Sequence, residues 1–587
     1  MSKEMNRLKL VNLYSSNNIF DSITFFDGIN LILGEKSEDD QNKRSGKKTN
    51  GVGKSMAIQF IDFCLFSDYD KSRISLIPED ILPKDEEIML DIIIGEKPLT
   101  ISRSRGHEKK PKITIDDAEI LFDNLDLAKK YLEDLIFKNI SASNAPSFRN
   151  LLSLLNRDER SEFKDILMCH DSKKRIPDDL TSHLFLLGIS IEKYKALDGL
   201  NKEIKNLKKV ISKNKKDLTN DGEIKISTIK AELNDLEGEI RLIDNALDSF
   251  KTTDAFDSLH DEIITLESDL ESYRKDIIIL KSQLKKINSM PKAEKVSSKE
   301  VELVYNKFKK ELGTQINKNL EEVIIFSDKV QDFQRSILSK KAQEISSQIN
   351  HLNTIIKRLD DEYSEKIKIL DTQGIFKNLK SGLKIYEEKK SKLQKTMVLY
   401  DEYEKNNRLS KELDLLKAKT ILELDDELND NSNKIDGFLD TITDIHEFIM
   451  GNKECSFDLT TPENKKSTTP LNVTMRIRDD GSRSVNRTKV FIYDVALLID
   501  DNTSNRHPGL LIHDNIFDVD QDTLVQSLNF LYKYEQINYN FQYILTLNRD
   551  KIENEERLEE IDFSVEDKKI ASFTKNSKFL KTSYKEL

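Results

Sequence analysis

Along the middle of the chain apolar residues return in alternating steps of three and four. One run is Ile229, Leu233, Leu236, Ile240, Ile243, Leu247 and Phe250. A second is Leu259, Ile263, Leu266, Leu270, Tyr273, Ile277, Leu280, Leu284 and Ile287, and a third is Leu338, Ala342, Ile345, Ile349, Leu352, Ile356, Leu359 and Tyr363. This spacing lays one stripe along a helix and is the seam of a coiled coil. Between Pro177 and Pro462 stands a single proline, Pro291, so the pattern predicts long helices with one central interruption. A helix that runs out, turns and returns buries its own stripe, which predicts an antiparallel hairpin. A plain bundle or an intermolecular coiled coil would show the same seam. The expected parts are an outgoing arm over 191–288, broken at TNDGE (219–223), an apex over 289–334 around Pro291 and Gly313, and a returning arm over 335–430. Arms of roughly 95 residues at about 1.5 Å each would reach on the order of 140 Å.

The flanks, 1–190 and 431–587, carry a different pattern. LKLVNLY (8–14), SITFF (22–26) and INLILG (29–34) read as strands, and MAIQFIDFCLF (56–66) reads as an apolar helix. Between the last strand and that helix lies GEKSEDDQNKRSGKKTNGVGKS (34–55). Strand, glycine-bearing loop, Gly-Lys-Ser and helix form the setting of a phosphate-binding loop. The strict spacing fails because Lys48 stands where a glycine is required, so a charged insertion must bulge out between Gly34 and Asn50. Backbone N–H groups around Asn50, Gly51, Val52 and Gly53 can wrap anionic oxygens when side chains stay clear, and the helix behind offers its positive end. Lys54 would meet the β- and γ-phosphates and Ser55 would ligate Mg²⁺. Gly34, and Asn50 through Met56, are therefore assigned to nucleotide binding. The acidic partner comes far along the chain, in GLLIHDNIFDVD (509–520): a buried strand ending at Asp514, expected to hold the metal with Ser55. The predicted fold is α/β, an ATPase head split into N- and C-terminal lobes with the coiled-coil hairpin inserted between them.

Composition changes this picture little. Of 587 residues 34% are charged and none is tryptophan, which favours long solvated helices. A net charge of −12 argues against a uniformly basic nucleic-acid surface but leaves room for local basic faces such as NKEIKNLKKVISKNKK (201–216), which are also ordinary solvated helix faces. Cys64, Cys169 and Cys455 lie far apart with no metal-ligand spacing and read as reduced thiols of a cytoplasmic protein. No signal-like segment or apolar run of membrane-spanning length is evident.

The split head, the central hairpin and the NGVGKS and LLIHDN segments together resemble the SMC-like ATPases of the ABC class. The interrupted loop, PSFRNLLSLLNRDER (146–160) and RTKVFIYDVALL (487–498) resemble the bacterial branch found in multi-gene defence systems, including the SMC component of Lamassu and the three-component ABC systems. The resemblance implies ATP and Mg²⁺ as cofactors and two heads that enclose nucleotide, each giving a signature loop to the other. The matching place is DDGSRSVNR (479–487), where Gly481, Ser482 and Ser484 would face a γ-phosphate in trans, although the match is poor and a capped surface turn would look the same. The glutamate that usually follows the metal-binding aspartate is replaced by Asn515, which cannot act as a general base. No glutamine lies between Gln59 and Gln283, and Asn548 in YILTLN takes the place of the usual switch histidine. Slow hydrolysis is expected, with Asn515, Asp518 or Asp520 near the water.

The resemblance further implies partners: DNA, double-stranded and possibly at ends, a second copy through the heads and the apex, a small accessory subunit, and an effector such as a nuclease on a separate chain. The segment EEVIIFSDKVQDF (321–333) is a candidate apex contact, an ordinary helical turn being the competing reading. A chromosome-repair ATPase of the same architecture and a coiled-coil scaffold with a vestigial nucleotide site are the rival functions.

Overall fold

The computed structural model describes residues 5–36, 51–138, 140–173, 179–219, 225–249, 257–289, 320–370, 376–462, 467, 469–517, 521–538, 540–552 and 560–584. Asn50, Asp518, Asp520, Pro291 and Gly313, and nearly all of TNDGE, lie outside them. The chain divides into two compact units. One joins Met1–Glu203 to Leu413–Leu587, and the other is Ile204–Glu412.

In the first unit the strands run, in chain order, β1 (Leu8–Ser15), β2 (Ile23–Thr24), β3 (Gly28–Gly34), β4 (Glu87–Ile94), β5 (Lys97–Ser104), β6 (Lys112–Ile115), β7 (Ala118–Leu121), β8 (Asn156–Arg157), β9 (Cys455–Thr460), β10 (Asn472–Ile477), β11 (Leu510–Asp514), β12 (Gln542–Asn548) and β13 (Lys569–Phe573). An antiparallel sheet has the order β2-β1-β4-β5-β6-β7, and β9 and β10 pair on their own. The central sheet is parallel throughout, in the order β13-β3-β12-β11-β8. Three of its strands, β11, β12 and β13, come from the C-terminal part of the chain and two, β3 and β8, from the N-terminal part, which is what assembles one head from two distant segments. Every residue of β3, β11 and β12 is buried. Strands covered on both faces carry continuous apolar runs, whereas β4 alternates buried and half-buried residues as a strand with one wet face does. Gln542 bolts the two sheets together. Its side chain accepts from the backbone N–H of Leu10 at 2.7 Å and donates to the Leu10 carbonyl at 2.8 Å, beside a break in the register of β1.

The second unit is helical. Two antiparallel pairings are read from side chains: Tyr363 donates to Glu267 at 2.9 Å, Lys366 pairs with Glu262, and Arg274 pairs with Asp360, which aligns helix Asp257–Ser289 with helix Leu320–Leu370. Likewise Lys389 with Glu239 and Tyr386 with Asp244 align helix Ile226–Ser249 with helix Phe376–Asp430. The buried positions Leu270, Ile277, Ile345, Ile349 and Leu359 belong to the expected stripe. Leu338, placed in that stripe from the sequence, is exposed at 41%. Arg274 reaches both Asp360 at 3.0 Å and Glu387 at 2.8 Å, so three helices meet at one guanidinium. The α/β class, with helices inserted antiparallel between the two halves of the head, is the one predicted above.

Candidate nucleotide site

β3 ends at Gly34, and the residues next to the following helix are the exposed Gly51, the buried Val52 and Gly53. Gly51 and Gly53 both take positive φ, +73° and +110°. A Cβ on Gly53 would lie 2.5 Å from the Phe579 side chain, so that position needs glycine for space as well as for conformation. Val52 is buried and its carbonyl accepts from the Phe579 N–H, which ties the loop to the C-terminal end of the chain. Helix Lys54–Cys64 begins immediately behind Gly53, with its unpaired N–H groups at the loop. Met56, the third residue of that helix, has its side chain buried.

Lys54 points inward and is only 8% exposed. Its ammonium donates to the Asn548 Oδ1 at 2.5 Å, at the end of β12. Burial holds its pKa below the usual lysine range, opposed by the nearby charges of Asp514, Glu159 and Asp550. The Ser55 hydroxyl donates to Asp514 Oδ1 at 3.0 Å, and the Thr546 hydroxyl donates to the same oxygen at 2.5 Å. Burial pushes the Asp514 carboxyl up to about 6, while those two hydrogen bonds pull it down and Glu159 and Asp158 add to the rise. A hydroxyl and a carboxylate oxygen are hard donors of the kind Mg²⁺ takes, so Ser55 and Asp514 fit the ion the loop implies. Among the described residues no group of three or more His, Cys, Asp or Glu is placed to hold a metal.

Asn515 follows with a left-handed φ of 58°. Its N–H donates to Thr546, and its carbonyl accepts from Arg487 at 2.8 Å. Its side-chain amide donates to Glu159 Oε1 at 2.5 Å. Gln59 donates to Asp158 at 3.4 Å. The structure thus brings these residues together in two hydrogen-bonded sets, Lys54 with Asn548 and Ser55 with Asp514, Thr546 and Asn515, with Gly34 at the end of the adjacent strand. Gly481, Ser482 and Ser484 stand at the start of helix Arg483–Ile499, where the Ser482 hydroxyl caps it by accepting from the Val485 N–H. Gly481 and Ser482 are exposed and Ser484 is half-buried.

Asp158, Glu159, Thr546 and Arg487 were not singled out by sequence reasoning. Beneath them lies a buried charge network that was equally hidden. Arg157, the last residue of β8, pairs with Asp494 through Nε at 2.7 Å and Nη2 at 2.8 Å, and donates to the carbonyls of Asp165, Ile166 and Met168. Asp494 also meets His513 at 3.0 Å, and His513 meets Tyr543 at 3.0 Å. One network therefore joins β8, helix Arg483–Ile499, β11 and β12.

Two segments of the chain match known family models. Residues 7–248 match the AAA domain model. That span takes in β3, β8 and helix Lys54–Cys64. Residues 445–584 match a second family, described as an uncharacterised protein conserved in bacteria (DUF2326). The strands β11, β12 and β13 lie in that second span, so the parallel sheet draws its strands from both matched segments. No curated protein matches the chain significantly. Among solved structures, the Smc head domain with a coiled coil and joint from Pyrococcus yayanosii aligns over 94% of both chains at 12% identity, with a TM-score of 0.33. The Smc head domain with an extended coiled coil from Pyrococcus furiosus, bound to the C-terminal domain of ScpA, aligns over 95% of this chain and 92% of its own at 8% identity, with a TM-score of 0.31. Neither superposition is close enough to bear on the fold. No helix among the described residues is long and apolar enough to cross a membrane.

Proposed function

We propose that the chain binds ATP with Mg²⁺ and hydrolyses it as an SMC-like ATPase. The observation that supports this best is the meeting of the chain's two ends, with Lys54 on Asn548 and Ser55 on Asp514. In this reading the N–H groups of Gly51, Val52 and Gly53 cradle the phosphates and Lys54 neutralises the β- and γ-oxygens, exchanging Asn548 for them. Ser55 and Asp514 hold Mg²⁺, which when bound offsets phosphate charge. Asp514, held at about 6 by burial, is kept ready to ionise against a cation. Lys54→Ala should lower ATP affinity by at least ~100-fold in a fluorescent-nucleotide titration; unchanged affinity removes the reading.

The finer proposal is that ATP-dependent engagement of two heads, with Gly481, Ser482 and Ser484 acting in trans, senses DNA and controls a separate effector, a nuclease, in a bacterial defence complex. It rests on the family resemblance and on an exposed row of lysines on helix Ile191–Leu218, among them Lys205, Lys209, Lys213 and Lys216. Backbone phosphates are bound by such charge without sequence readout. Measuring turnover with linear and closed-circular DNA tests it: stimulation by DNA supports the sensor, and tight ATP binding with no response to either DNA supports a scaffold. Inspecting the genes adjacent to this one would separate defence from chromosome repair.

A further inference from the structure

The position that ordinarily supplies a water-activating carboxylate, directly after the metal-binding aspartate, holds Asn515, whose amide has no basicity. A carboxylate nevertheless stands beside it, delivered by a different strand. β8 runs parallel to β11, with Arg157 opposite His513. In a parallel sheet the residues that leave neighbouring strands emerge at the same edge, so Asp158 and Glu159 emerge next to Asp514 and Asn515.

Their placement is fixed from below. Arg157 is fully buried and held by Asp494 and three carbonyls, which leaves the next two residues little freedom. Asp158 is already engaged: it accepts from the Arg160 N–H and guanidinium and from Gln59. Glu159 instead turns to the site. Its Oε1 accepts the Asn515 amide at 2.5 Å, its charge is felt by both Lys54 and Asp514, and it is exposed, so water reaches it.

We propose that Glu159 is the general base of the ATPase, with Asn515 as the positioning residue that aims it. This rests on the nucleotide-site reading above. The water oxygen bonds to the γ-phosphorus and its proton passes to the Glu159 carboxylate. The bond from that phosphorus to the β–γ bridging oxygen breaks, and its electron pair leaves with ADP. ADP and inorganic phosphate are the products, and the proton on Glu159 returns to solvent. A base of this kind contributes about 10²–10⁴-fold in rate.

The test is single-turnover phosphate release by the full chain at saturating ATP and Mg²⁺, alongside a fluorescent-ATP titration and a Mg²⁺ titration. Glu159→Gln should lower the rate by at least ~100-fold while ATP affinity and the half-saturating Mg²⁺ stay within about threefold. Asn515→Ala should lower it less, and the double variant should be no slower than Glu159→Gln alone, because residues acting as one unit do not add. A Glu159→Gln rate within threefold of the unaltered chain overturns the inference. So does a raised Mg²⁺ requirement at an unchanged maximal rate, and so does an unaltered chain that binds ATP without turning it over. Absence of ATP binding by the unaltered chain would instead sink the nucleotide-site reading, and the inference with it.

Discussion

The two units of the chain use charge in opposite ways. In the head, the Arg157–Asp494 pair has side chains 0% and 1% exposed, and Arg157 also donates to three backbone carbonyls. In the helical unit, Arg274 with Asp360 and Glu387 stays 36% to 40% exposed. A solvated pair is screened and contributes about 0.2–1 kcal/mol, so it can select a register between helices without deciding whether they fold. A buried pair returns little net stability when intact, but breaking it leaves one charge stranded. The head therefore holds its site with parts that cannot be removed one at a time, and the helical unit holds its register with parts that can.

The contrast is broken most severely by Arg157→Met, which strands Asp494 and should destabilise the head by about 3–5 kcal/mol. Hydrogen exchange across β11 and β12 should speed up accordingly, and ATP turnover should fall with it as Glu159 loses its footing. If exchange there is unchanged, the network is not what fixes the site.

Acid probes the same core more gently. His183, fully buried with its Nδ1 on the Tyr493 hydroxyl at 2.9 Å, has its pKa lowered to about 3, chiefly by burial and further by Arg157. A group whose folded pKa lies below its unfolded one favours folding above the unfolded value, near 6.5, and this support is lost as pH falls toward 3. Between pH 7 and pH 5 the loss from this residue is about 2 kcal/mol. Thermal melts of His183→Gln should show a correspondingly shallower acid limb, and an identical limb would reject the assignment. Arg274→Ala is the smallest change: less than about 1 kcal/mol in chemical denaturation, shrinking further in high salt. A loss several times larger would mean that the helical unit depends on its ion pairs as the head does.

Much of the head could be read from the chain alone because its key strands announce themselves. INLILG and LLIHD are continuous apolar runs, as strands buried on both faces must be, and a Gly-Val-Gly-Lys-Ser turn behind a strand has few other uses. The helical stripe was legible for the same reason, since burial of one face imposes a period. β8 gave no such signal: two residues, half of them a charged Arg157, become a strand only by pairing with β11. Glu159 was hidden for a related reason, its partner Asn515 being 356 positions away. Nor does periodicity alone fix burial, since Leu338 fits the stripe and is exposed.

The claim on which all of this turns is that the two ends of the chain build one nucleotide site. Equilibrium ATP binding, measured with and without Mg²⁺ in Lys54→Ala and Asp514→Ala side by side, addresses it most directly. The account predicts that the first variant loses ATP under both conditions and that the second loses the gain in affinity that Mg²⁺ confers. Two variants that bind ATP as the unaltered chain does, with and without the ion, would contradict it.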